Sequence, residues 1–91
     1  MQASGEAESV QLRIVAESQP GVKLGEASLR PEEMLTIRVS DVILVDRWAE
    51  DARLVAGERV AFRMHEAVVL RGILVEVEGE VGVLIQQVLL Q

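Results

Sequence analysis

His65 is the only histidine in the chain, and there is no cysteine, so its chemistry is limited to that of a lone general base or a single metal ligand. It precedes Glu66 at the end of an apolar run, where a polar turn residue is expected, and a turn is the reading we take. Glu76, Glu78 and Glu80 recur at intervals of two and resemble a carboxylate set for a cation. On a strand, however, that spacing puts Glu76 and Glu78 on one face, away from Val75 and Val77, and a solvated face follows if the valines point inward. The hydroxyls are Ser4, Ser9, Ser18, Ser28, Ser40 and Thr36, none in a nucleophile-elbow context, and any triad would depend wholly on His65. Gly72, Gly79 and Gly82 are followed by no helix and no Lys-Ser or Lys-Thr pair, so they read as strand punctuation and not as a phosphate cradle. The expectation is a chain with no catalytic, cofactor-binding or metal site, hence not an enzyme.

The bulk composition points to assembly. Ninety-one residues make one domain, and a domain this short buries only about two thirds of its unfolded surface. Hydrophobic residues make up 49% of the chain, yet only Trp48 and Phe62 are aromatic, so the core must be built from Val, Leu, Ile and Ala. That apolar surplus is most simply hidden by a second subunit. The net charge of −6, with arginines and Lys23 spread from Arg13 to Arg71, disfavours nucleic acid, because phosphate neutralisation needs clustered cations. The acidic start, Met1-Gln-Ala-Ser-Gly-Glu-Ala-Glu-Ser9, has no apolar segment of a signal peptide, and no apolar run reaches the roughly 20 residues of a membrane span. The chain therefore reads as soluble and cytoplasmic.

These features need elements to carry them. Residues 1–9 read as a disordered acidic tail and residues 10–91 as a single β domain. Val10, Leu12, Ile14 and Ala16 alternate with polar positions as in a half-buried strand. Ser18-Gln-Pro-Gly21 reads as a turn, and Val22 and Leu24 as a short second strand. Pro31 followed by two glutamates opens a helix of one to two turns, after which residues 36–39 and 42–45 are strand-like. In the stretch from Asp46 to Ala56, Asp46 caps a possible helix with Trp48, Ala52 and Val55 on one side; an extended excursion fits almost as well. Three further strands follow: residues 59–64, then 68–78 with Ile73, Val75 and Val77 inward, then 81–90, the last two joined by Gly79-Glu80. The fold class is all-β, with one or two short helical turns.

The order of these features resembles the SPOA (surface presentation of antigens) domain of the flagellar motor switch proteins FliM and FliN and of the type III secretion sorting platform. In that family a strand and a short helix lead to an apolar-Gly-Asp-Val-Ile segment; here Val10–Ala16, Pro31–Leu35 and Val39-Ser-Asp-Val-Ile43 stand in that order. Leu-Asp-Arg, Arg-Gly and a Val-rich hairpin ending Gly-Val-Arg-Ile come next in the family, and Val45-Asp-Arg47, Arg71-Gly72, Val75 to Gly82 and Val83-Leu-Ile85 stand here. Ser40 replaces the usual Gly, His65-Glu66 stands where Asn-Gly is common, and Leu84 takes a position often basic. The resemblance implies an intertwined β dimer, with an identical copy or a related SPOA domain. It also implies a role as a protein-protein scaffold of a flagellar C-ring or type III secretion cytoplasmic ring, at the inner face of the membrane, binding the export-ATPase regulator or other ring proteins.

On this reading Ile73, Val75, Val77, Val83 and Ile85 supply the dimer interface, and Arg47, Trp48 and Leu54 contact a partner. The competing reading is an SH3-like or Sm-like small β-barrel binding RNA or a small ligand, suggested by the stretch from Gly72 to Val81, with the negative charge against it.

Overall fold

The computed structural model describes residues 8–90. The tail assigned to residues 1–9 lies outside them apart from Glu8 and Ser9, which are exposed and belong to no element. The described residues are mostly β: among them are seven strands and one short helix, in the order β1 Val10–Ala16, β2 Gln19–Leu29, α1 Pro31–Thr36, β3 Val42–Leu44, β4 Arg47–Trp48, β5 Arg59–Met64, β6 Ala67–Val77 and β7 Glu80–Val88. All pairings are antiparallel, in one sheet ordered β3-β7-β6-β5-β1-β2-β4.

That order forces the sheet to curl. The two edge strands, β3 and β4, are consecutive in the chain and separated only by Val45 and Asp46. Three Cα steps span at most about 11 Å, whereas the edges of a flat seven-stranded sheet lie roughly 29 Å apart. The inner face of the curl holds the core, in which Leu12, Ile14, Val60, Phe62, Leu70, Leu74, Val83 and Ile85 are fully buried. Met34 is the buried residue of α1. The helix starts where expected: the Glu33 carboxylate accepts the Arg30 N–H at 2.7 Å, and Pro31 occupies the first turn.

Several elements depart from the sequence expectation. The first turn is Glu17-Ser18, so β2 begins at Gln19, and the register with β1 jumps from Lys23 to Gln19. Pro20 and Gly21 thus lie in a bulge, which suits a residue that cannot donate to the ladder. Residues 36–39 form no strand. The Thr36 hydroxyl donates to the Glu33 carbonyl at 3.1 Å, and a turn closes with Asp41 N–H donating to the Arg38 carbonyl at 3.0 Å. Ser40, with φ of 81°, takes the left-handed position of that turn. The stretch after Asp46 is not a helix. The Asp46 carboxylate accepts the Ser28 N–H at 2.8 Å, β4 pairs with β2 at Gly25 and Glu26, and residues 52–55 are irregular. The last hairpin turns at Glu78-Gly79, both at positive φ, and Glu80 opens β7 opposite Val77. Positive φ at both central residues marks a type I′ turn, so the connection is one residue earlier than the Gly79-Glu80 reading.

Candidate interaction face

The face that β6 turns inward decides the candidate site. The expectation that Ile73, Val75 and Val77 point inward is overturned: Leu70 and Leu74 are buried, Ile73 and Val75 are half-buried, and Val77 is exposed. The segment from Val68 to Val77 is apolar in both phases, so alternation gives no answer. Arg71 shares the phase of Ile73, Val75 and Val77, and its charge belongs in water. Glu76 carries a charge in the opposite phase, that of Leu74, so charge placement divides between the two faces.

Cross-strand partners share a face of an antiparallel sheet. Leu74, Val83 and Ile43 are paired in one row and are all buried. The neighbouring rows therefore face outward: Ile73 with Leu84 and Val42, then Val75 with Gly82 and Leu44. Val42 is 45% exposed and Leu44 53%. The β6–β7–β3 part of the sheet is thus aliphatic on both faces, although the outer face of an antiparallel sheet is ordinarily polar.

Of the residues assigned to a dimer interface, Ile73, Val75 and Val77 lie on this outer strip. Val83 and Ile85 do not; they are 0% and 1% exposed in the chain's own core. Leu84, Val42 and Leu44 belong to the strip and were not singled out in the sequence, because only the strand pairing brings them beside Ile73. The proposed partner-binding residues lie elsewhere. Arg47 and Trp48 form β4 at the other sheet edge, where the Trp48 ring covers Gly25 and packs against the core, and Leu54 is half-buried against the same core.

The fold also gathers charges that the sequence spreads out. Arg13 pairs with Arg63, Arg59 with Ile73, and Ala61 with Arg71, which puts four of the arginines on the outer face beside the strip. Arg71 donates to Gln87 Oε1 at 3.2 Å and lies 3.6 Å from a Glu17 carboxylate oxygen. Arg63 donates to the Glu66 carbonyl at 3.0 Å, while its Nε finds no partner among the described residues. At the opposite end of the strip are the Glu78 turn and Glu80. On β2, the Lys23 hydrogen bond and charge hold the Glu26 carboxyl below the usual carboxylate range.

His65 sits in the β5–β6 turn, exposed, at φ of 58°. Among the described residues no three His, Asp or Glu side chains converge on a common metal position. Two open grooves, of about 520 and 510 Å³, are lined by Glu17, Arg59, Arg71 and glutamines, and by residues of β2, α1 and β3 with Asp46; neither contains His65. No helix among the described residues is long and apolar enough to cross a membrane. No protein-family model matches the chain, and no curated protein or solved structure matches it either.

Proposed function

We propose that this chain is a non-enzymatic assembly module of the SPOA kind, which dimerises with another copy or a related domain and serves as a scaffold of a flagellar or type III secretion ring. In that setting it works in the cytoplasm, at the inner face of the membrane, and engages the export-ATPase regulator or other ring proteins. The observation that carries the reading is the two-sided aliphatic sheet of β6, β7 and β3, because a contiguous apolar patch on the outer face of a sheet marks an interaction site. The backbone adds support. Ser40 and His65, at positions where the resemblance has Gly and Asn-Gly, both take positive φ, and Gly72 of the Arg-Gly pair leaves no room for a Cβ.

The small-barrel reading shares the curled sheet, and the clustered arginines favour it over what the sequence suggested. A single-strand platform also needs exposed aromatics. Phe62 is fully buried and Trp48 is committed to Gly25, so the stacking surface is missing. Sedimentation equilibrium of the purified chain tests the assembly reading: a monomer at micromolar concentration refutes it. Retention of single-stranded RNA at physiological salt turns the case toward the barrel.

A further inference from the structure

The fold concentrates positive charge in a chain that is negative as a whole. Around Ala61, on the outer face of β5, strand register sets four arginines: Arg59 and Arg63 two positions away on β5, Arg71 directly across on β6, and Arg13 on β1 directly across from Arg63. Directly opposed residues have Cβ atoms roughly 4.5–5.5 Å apart, and like charges so placed are destabilising. Acids could offset the repulsion, yet the ion pairs among the described residues engage Lys23, Arg30 and Arg71 and none of Arg13, Arg59 and Arg63. Glu26 stands opposite Arg13 on β2, but its carboxylate is bound to Lys23. Arg63 is short of partners in a second way: its Nε is buried and finds none among the described residues, where a buried donor is ordinarily satisfied.

Beneath these charges lie Val15 and Ala61. Both are on the outer face and outside the core cluster, and they are still only 3% and 4% exposed. Long neighbours must cover them, so the aliphatic stems of the arginines lie over them and hold the charged heads in place. That cover needs the stems and not the charges.

We propose that this face is a docking site for a carboxylate-rich segment of a partner protein, bound by Arg13, Arg63 and Arg59 around the small side chain of Ala61. A guanidinium fork matches a carboxylate with two parallel hydrogen bonds, and heads already placed by their stems lose less freedom on binding. A compact acidic segment is favoured over a nucleic acid or a bilayer by the rest of the molecule. Outside the cluster the chain is more acidic than its net charge of −6, and a polyanion extending past the arginines meets that acidity as repulsion. Docking here does not depend on the dimerisation proposed above.

The test is titration of the full chain with synthetic oligoglutamate, with oligoglutamine of equal length as the neutral probe, followed through the arginine Nε–Hε resonances in NMR spectra. Oligoglutamate should shift the resonances of Arg13, Arg59 and Arg63 saturably, and oligoglutamine should not. Arg13→Met and Arg63→Met keep an unbranched apolar stem and remove the charge, and each should weaken binding about five- to tenfold. Arg38→Met removes the same charge from the exposed turn before β3 and should leave the affinity within about twofold. Arg13→Met should also unfold at a temperature no lower than the parent's, because it relieves the repulsion with Arg63. Absence of the arginine shifts, or equal weakening by Arg38→Met, overturns the site. A lower unfolding temperature for Arg13→Met assigns Arg13 to a structural pair with Glu26 and overturns it as well. Tighter binding of single-stranded RNA or of phosphatidylserine vesicles than of oligoglutamate overturns the choice of occupant.

Discussion

Gly72→Ala and Gly21→Ala add the same methyl group to the same sheet domain and should move its stability in opposite directions. A Cβ on Gly72 would overlap the Leu84 carbonyl oxygen and come within 2.8 Å of Val83 Cγ1, well inside the roughly 3.5–4.0 Å of carbon–carbon contact. Both neighbours belong to β7, whose register with β6 shifts between Arg71 and Gly72, so the strain falls on the ladder and not on a flexible side chain. Overpacking of this kind costs about 1–3 kcal/mol, offset in part by about 0.4–1 kcal/mol from restricting the unfolded chain. A net loss of about 1–2 kcal/mol, at about 4–8 °C per kcal/mol for a domain of this size, lowers the Tm by about 5–15 °C. Gly21 has no atom within 4 Å of a built Cβ and no positive φ, so only the unfolded-state gain remains, about 0.4–1 kcal/mol. Its Tm should rise by a few degrees. Thermal unfolding followed by circular dichroism, at one fixed protein concentration so that association does not shift the midpoint, measures both. A Gly72→Ala chain as stable as the parent would refute the close β6–β7 approach and the register built on it.

Three further outcomes can be checked in the same way. Phe62→Ala, at the only phenylalanine and a fully buried position, should cost about 3–5 kcal/mol in urea unfolding, whereas Leu35→Ala, 83% exposed, should change almost nothing. His65→Gly and Glu78→Gly relieve left-handed backbone at φ of 58° and 53°, and each should raise the Tm by several degrees, from a relief of about 1 kcal/mol; a loss of stability would refute the assigned turns. Glu26, held by Lys23, should titrate below an ordinary glutamate in an NMR experiment and move up in Lys23→Met. Because its folded pKa is depressed, its contribution is present above the unfolded pKa and disappears as the pH falls through the folded one.

Much of the fold is legible in local pattern. The alternation from Val10 to Ala16, the Pro-Glu-Glu opening of α1 and the long final strands correspond to β1, α1, β6 and β7, because each is decided by residues a few positions apart. Pro20 and Gly21 misled for a physical reason: a bulged strand tolerates both, so turn residues marked a bulge. Asp46 caps no helix: its carboxylate accepts the N–H of Ser28, eighteen residues away in sequence, a partner that local pattern does not reveal. The candidate face was half legible, since Ile73, Val75 and Val77 are on it and Val83 and Ile85 are under it.

The sequence by itself determines an aliphatic, β-rich, cysteine-free chain of net charge −6 with a single histidine, because these follow from residue type and short spacing alone. The tertiary structure decides the rest. Which phase of β6 faces the core, which arginines become neighbours and whether two apolar rows make a surface all depend on register between strands distant in sequence. A shift of one residue exchanges the faces of a strand, and in a strand apolar in both phases only the pairing with β5 and β7 can choose between them.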